Sequence, residues 1–443
     1  MPEYMAGYPK YKYSGFSWIG NIPEHWEIKR SKYVANLYNG DSLNDEQKNA
    51  YSDFSESDET IPYIASKDID KDSCSVDYLN GTRIPKKEKN TNGRPFSKAP
   101  AGSSLLCIEG GSAGKKRCFL DREVNFVNKL CCFVPKINGK FLFYYICSNS
   151  YWENFKRNLQ GMIGGVTVAK LGTFPIPIPS FNEQQAIADY LDAECKKIDT
   201  LIAKEEKRIS LLEEMKSSII TRAVTKGIKP DSQMKDSGVF WIGNTPKSWT
   251  VKRLRFTGQS RNGLTYKPTD ICSEGEGILV LRSSNIQNNR LSFDDNVYVN
   301  KYNARLLVNQ GDVIICSRNG SLSLVGKSVY IDSPIHATFG AFMLRYRSCE
   351  NKEYAYYMVS TAVKMYKGLF STTTVNQLVI SDFKDMVVSV PPIEEQRKIV
   401  TYIKENTSWI EKRIDMSRKQ IDLLREYKQS LITEVVTGKR KVC

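Results

Sequence analysis

Two stretches of the chain carry apolar residues at helical spacing. In the first, Leu191, Cys195, Ile198, Ile202, Ile209, Leu212 and Ile219 follow one another in steps of three, four and seven. In the second, Ile403, Ile410, Ile414, Ile421, Leu424, Leu431 and Val435 do the same. Such a seam makes one helix face apolar and calls for a partner helix. Neither stretch contains proline, and glycine appears only at the C-terminal ends, Gly227 and Gly438, where it caps. The spacing predicts helices over 181–227 and 393–439, each of about 44 residues and roughly 66 Å long. Both seams are interrupted at the same layers, by Glu205 and Lys216 in the first and by Ser417 and Lys428 in the second. Polar seam residues set register at some cost in stability. The economical partner of each helix is the other. Ile198, Ile202, Glu205, Ile209 and Leu212 would then lie opposite Ile410, Ile414, Ile421, Leu424 and Lys428. With a centre of symmetry near residue 210, Glu205 is expected to face Lys428.

Elsewhere the pattern shortens to strand length. "IPYIASKDI" (61–69) and "ILVLRSSNI" (278–286) each read as a strand leaving into a polar loop. "GSSLLCIEGGSAGK" (102–115) and "GDVIICSRNGSLSLVGK" (311–327) each read as an apolar strand, a Gly-rich loop and a lysine. Tyr- and Phe-rich helical stretches follow, "KFLFYYICSNSYWENFKR" and "EYAYYMVSTAVKMYKG". Mixed strands and helices of this length predict compact α/β or α+β domains over 41–180 and 264–392.

The correspondence between halves is a duplication. "SGFSWIGNIPEHW" (14–26) and "SGVFWIGNTPKSW" (237–249) agree at eight of thirteen positions, all at an offset of 223. The helical stretches agree at an offset of 212, through Glu183-Gln184 and Glu395-Gln396, Tyr190 and Tyr402, Ile198 and Ile410, Leu212 and Leu424, and others. Two repeated blocks flanking two variable segments mean repeated domains, not a short motif used twice. The order is a repeat segment (14–40), a variable domain (41–180) and a long helix (181–227). The same three parts recur as 237–263, 264–392 and 393–439.

Composition narrows the function. The formal net charge is +15, which favours a polyanionic partner such as nucleic acid over a neutral one. The charge is segregated: residues 41–77 hold eleven acidic and three basic side chains, and Arg83–Lys170 hold sixteen basic and five acidic. The eleven cysteines are scattered, without a Cys-x-x-Cys pair, which fits a reducing cytoplasm and not a disulfide framework or zinc ribbon. No apolar run is long enough to predict a membrane span, and the first residues have no apolar core of a secretory signal. The Gly-rich loops are not phosphate loops: five residues separate Gly320 from Gly326-Lys327-Ser328 where four are needed, and the first copy has Lys116 at the Mg²⁺-binding hydroxyl position. His25 and His336 are the only histidines, neither at metal-ligand spacing, and no nucleophile elbow exists. No cofactor, metal or catalytic residue is therefore expected. The loops instead supply donors for DNA. Ser66, Lys67, Lys115, Lys116 and Arg117 are the candidates in the first domain. Arg282, Ser283, Arg318, Asn319, Ser321 and Lys327 are those in the second. Arg and Asn read base edges by paired hydrogen bonds, and Lys holds phosphate.

With its doubled "SGxxWIGNxPxxW" and its doubled Pro-rich lead into Glu-Gln and a long helix, "FPIPIPSFNEQQ" and "VVSVPPIEEQRK", the chain resembles the specificity subunits of type I restriction–modification systems from about Ser14 to Lys439. The first lead departs from the family's Pro-Pro-x-x-Glu-Gln, with Ser180 and Phe181 after Pro179. The resemblance implies two target-recognition domains joined by an antiparallel pair of helices, with an internal pseudo-two-fold repeat. It implies a non-catalytic reader of a bipartite double-stranded DNA target. It also implies docking of two adenine methyltransferase subunits and, through them, of ATP-dependent restriction subunits. A type IIB-like recognition subunit and a tandem scaffold that binds protein instead of DNA are the two other readings that these residues permit.

Overall fold

The computed structural model describes residues 7–51, 57, 59–160, 164–367 and 377–442. Asp53, Glu56 and Asp58 of the acidic segment lie outside them. The chain forms two compact units, residues 1–206 with 418–443, and residues 207–417.

The long helices run Phe181–Lys226 and Ile393–Val436, and each gives its first half to one unit and its second half to the other. In the first unit Ile187, Leu191, Cys195 and Ile198 share a buried core with Leu431, Ile432, Val435 and Val436, flanked by Ile202 and Leu424. Low numbers on one helix meet high numbers on the other, so the halves are antiparallel. In the second unit Ile220, Ala223 and Val224 pack with Ile399, Val400 and Ile403 in the same sense. Ile410, Ile414 and Ile421 are buried as well.

The polar layers differ from the expected facing. Lys428 donates to both carboxylate oxygens of Asp199, at 2.7 and 2.8 Å, and not to Glu205. Lys216 donates to Glu411. Asp199 and Glu411 are 212 residues apart, as are Lys216 and Lys428, so one ion pair is built twice. The register it sets brings Glu205, six residues beyond Asp199, level with Asp422, six before Lys428. The reason is side-chain length. A lysine stem lies along the apolar seam and carries its ammonium out to a carboxylate at the edge, whereas Glu205 itself is buried.

Each unit carries two four-stranded sheets, the first alike in both units and the second differing in the strands that flank its parallel pair. In the first unit Ala35–Asn39, Leu130–Pro135, Ser104–Cys107 and Arg117–Phe119 form one, antiparallel throughout. Arg83–Pro85, Thr60–Ile64, Val124–Phe126 and Lys98–Ala99 form the other, with a parallel central pair. In the second unit the orders are Gly258–Asn262, Met343–Ser348, Val313–Cys316, Ser328–Tyr330 and Ile271–Cys272, Tyr298–Val299, Ile278–Leu281, Ala337–Phe339. Ile278–Leu281 and Ala337–Phe339 are again parallel. Thr60–Ile64, Ser104–Cys107, Ile278–Leu281 and Val313–Cys316 are buried along their whole length, which is why they read as unbroken apolar runs and not as alternation.

Helices Gly139–Cys147 and Lys352–Tyr366 start at Asn138 and Asn351, whose side chains accept from the backbone N–H of Phe141 and Tyr354. The duplicated Glu-Gln ties these caps to the long helices. The Gln184 amide accepts from the Asn138 N–H at 3.0 Å and donates to the Pro179 carbonyl at 2.9 Å. Gln396 does the same between the Asn351 N–H and the Pro391 carbonyl, both at 2.9 Å.

The duplicated Trp-Ile-Gly-Asn segment has an equally concrete task. Ile19 and Trp26 are buried against Leu431, Ile432 and Val435, at the end of the second long helix. Trp249 is buried against Ala223 and Val224, at the end of the first. The chain leaves each helix through a left-handed glycine, Gly227 (φ 75°) and Gly438 (φ 72°). A Cβ on Gly438 would lie 2.3 Å from Pro23 Cδ, and one on Gly227 3.2 Å from Trp249. Each repeat segment is thus a socket for a helix C-terminus.

Candidate nucleic-acid interface

The loops singled out in the sequence leave the buried central strands of each unit. Thr60–Ile64 runs into a short 3-10 turn, Ser66–Asp68, and Ile278–Leu281 into Ser283–Asn285. Asp68 accepts from the Ala65 N–H at 2.8 Å, and Asn285 from the Arg282 N–H at 3.0 Å, so both turns are closed by a buried side chain. Burial pushes the Asp68 carboxyl above its ordinary pKa.

In each unit this turn touches the Gly-rich loop. In the first unit the Lys116 ammonium donates to the Ser66 carbonyl at 2.6 Å. In the second, the Asn319 amide donates to Ser283 Oγ at 3.2 Å. The sequence candidates therefore come together as two loop pairs, one per unit. Their roles within the pairs differ. Lys116 braces the two loops, and Arg117 turns inward, donating to the carbonyls of Gly114 and Cys147 at 3.3 and 3.2 Å. Lys67 and Lys115 are the exposed cations of the first pair. In the second, Arg282 is held by Asp295 at 2.8 Å. Arg318 lies with its guanidinium 5.2 Å from the centre of the Phe342 ring, a ring that is largely exposed. Ser321 donates its N–H to Asn319 Oδ1 at 3.1 Å, which fixes the Asn319 amide. Lys327 is half-buried at the far end of the loop.

Two features of this surface were not among the sequence candidates. Phe342 is one, an exposed ring under Arg318 and behind Gly340-Ala341. The other is a hairpin, Ile286–Gln287 with Arg290–Leu291, whose tip residues Asn288 and Asn289 both have positive φ, 53° and 61°. The signal for it is in the sequence, an Asn-Asn pair between apolar positions, the preferred chemistry of a tight two-residue turn. Arg290 reaches back to Asp415 of the long helix at 3.3 Å, leaving Gln287, Asn288 and Asn289 exposed.

Beneath the first loop pair, Cys74 (φ 56°) approaches Cys147 and Arg117. A hydrogen bond from Cys147 and the nearby guanidinium lower the Cys74 thiol to about 6. No group of His, Cys, Asp or Glu among the described residues has the arrangement of a metal site. No helix among them is long and apolar enough to cross a membrane.

Two repeats of one α/β domain, each presenting paired polar loops and each seated on halves of two long antiparallel helices, define a tandem recognition protein. The chain matches the type I restriction modification DNA specificity domain twice, over residues 23–212 and 246–416, and it belongs to that family. It is 24% identical over 444 residues to the type I restriction enzyme MjaVIII specificity subunit of Methanocaldococcus jannaschii, covering 95% of this chain and 94% of that one. It is 23% identical over 441 residues to the type I restriction enzyme EcoKI specificity subunit of Escherichia coli K12, covering 95% and 90%. The fold is also similar to a chain solved in work on complex assembly and conformational transition of the type I R-M system, with a TM-score of 0.61 at 14% identity over 94% of this chain and 98% of that chain. The protein is thus a non-catalytic specificity subunit with two target-recognition domains.

Proposed function

We propose that each target-recognition domain reads one half of a bipartite double-stranded DNA sequence through its loop pair, and that the chain docks two adenine methyltransferase subunits, which in turn bring ATP-dependent restriction subunits, in the cytoplasm. The observation that carries this reading is the doubled contact between turn and Gly-rich loop, Ser66 with Lys116 and Ser283 with Asn319. Two separate segments of each domain are held together there, and they offer Lys, Arg, Asn and Ser donors of the kind that contact phosphates and base edges. An excess of +15 charges supplies the long-range attraction to DNA. The duplicated sockets and ion pairs give two equivalent frames, which suits two copies of one enzyme.

The test is methylation-sensitive sequencing of DNA from cells that express this chain together with its methyltransferase. A methylated motif of two defined blocks separated by unspecified bases is expected, and it should vanish when the chain is omitted. Methylation that is unchanged without the chain, or a motif with one block only, contradicts the reading.

A further inference from the structure

The two repeats differ on the outer face of their long helices. In the second unit Tyr402, Trp409 and Met416 follow at seven-residue intervals and are 36%, 49% and 58% exposed. Each lies one residue before a seam position, Ile403, Ile410 or Ser417, so the row runs about 100° round the helix from the buried seam. Seven residues are nearly two turns, so the three side chains share one face. This is the geometry of a second seam, on a helix whose first seam is already occupied.

The charges around the row are basic. Lys412 and Arg413 lie between Trp409 and Met416, three and four residues from each, and Lys398 lies one turn before Tyr402. All three are exposed, and Glu405 is the one acid among these flanking positions. In the first unit the equivalent row is Tyr190, Lys197 and Lys204. Its flanking positions are Ala186, Thr200 and Leu201 instead of lysine and arginine. Lys197 is paired with Glu194 at 2.6 Å, and the Arg440 guanidinium lies 5.9 Å from the centre of the Tyr190 ring. The first row is thus charged and partly covered, and the second is apolar and bare.

We infer that the Tyr402–Trp409–Met416 face docks an amphipathic helix bearing carboxylates beside its apolar stripe, and that this makes the two methyltransferase positions unequal, the second unit binding its subunit first and more tightly. The inference rests on the reading under Proposed function for the identity of the partner. Its own content is the inequality. Apolar and aromatic anchors in the centre of a patch dominate association, and cations at its rim speed and orient it. Lysines at the same positions of the first unit give neither anchor.

The experiment titrates the methyltransferase subunit into the full chain and follows both binding steps by native mass spectrometry and calorimetry. Two steps separated by at least about tenfold in affinity are expected. The double variant Trp409→Lys/Met416→Lys should weaken the tighter step to the level of the weaker one and leave the weaker unchanged. The reverse variant, Lys197→Trp/Lys204→Met, should strengthen the weaker step. These are exposed positions, and circular dichroism and thermal melting should match the unaltered chain. Equal affinities in the unaltered chain, or two unchanged steps in Trp409→Lys/Met416→Lys, overturn the inference while leaving methyltransferase docking in place. Concentration-dependent self-association that the double variant abolishes assigns the face to a second copy of this chain and also overturns it. A complete lack of methyltransferase binding by the unaltered chain overturns the reading beneath it, and the inference with it.

Discussion

At the scale of single residues, the loop candidates divide by what already holds them. Arg318 and Asn319 belong to the second loop pair, where Phe342 and Ser283 orient them while their donors are not used up. Arg318→Ala and Asn319→Ala are each expected to relax base choice in one half-site, costing about 1–3 kcal/mol of discrimination where a bidentate base contact is lost. The methylated motif reads this directly. Lys115 is exposed and makes no ion pair among the described residues. Its replacement by alanine should weaken binding to all sequences alike and reduce the salt slope by about one phosphate contact, as salt-titrated binding of the methyltransferase complex will show. Lys116→Ala acts differently, since it removes the brace on Ser66 and disturbs the loop itself. Beneath that loop the Cys74 thiol, lowered to about 6, is a thiolate at pH 7 and above and is protonated as the pH falls through 6. Alkylation of Cys74 by iodoacetamide should accordingly rise with a midpoint near pH 6, well below the range of an ordinary thiol.

At the scale of elements, the sockets and the doubled ion pair bear the strain of any change. Gly438→Ala places a Cβ against Pro23 in a left-handed conformation, so overpacking adds to backbone strain. Gly227→Ala comes no nearer than 3.2 Å to a neighbour, the Trp249 ring edge, with Glu395 and Pro246 at 3.5 and 3.7 Å. The first is expected to cost about 2–3 kcal/mol and the second about 1 kcal/mol, and denaturant unfolding should rank them in that order. Asp199→Lys and Lys428→Asp should each lower stability by roughly 1 kcal/mol, and the double exchange should recover most of it. Glu205→Lys with Lys428→Glu should recover nothing, because Lys428 reaches Asp199 and not Glu205. The helices themselves were legible from their period, and their antiparallel sense from the family resemblance. The polar register was not, because a seam pattern locates a lysine on a face and leaves open how far its stem extends.

For the whole molecule, modular reading has a simple consequence. Each sheet pair, with its loops, is built from one variable segment apart from a single edge strand, Ala35–Asn39 or Gly258–Asn262, that the repeat segment supplies, and it encloses its own core. Replacing residues 41–174 by the matching segment of a relative should therefore change one block of the methylated motif and leave the other intact. A change in both blocks would show that the two domains are coupled in recognition. The replacement keeps Trp26 and Gly438, so the socket that frames the domain is unaltered, and it keeps Gln184, whose bond is to the backbone N–H of residue 138 in the replaced segment.

The sequence by itself determined the duplication, the two long helices, the buried central strands and the family, because each of these is written as a period or a repeat. Heptad spacing, unbroken apolar runs and fixed offsets survive without coordinates. Only the tertiary structure decided what the repeated residues are for: that Trp26 and Trp249 receive helix ends, that Gln184 and Gln396 join two helix starts, and that Ser66 meets Lys116 while Ser283 meets Asn319. Only it separated Lys115, exposed, from Arg117, turned inward, two positions away. The physical reason is that these assignments depend on contacts between segments tens to hundreds of residues apart, and on the direction of single side chains, neither of which a local pattern of apolar and polar positions encodes.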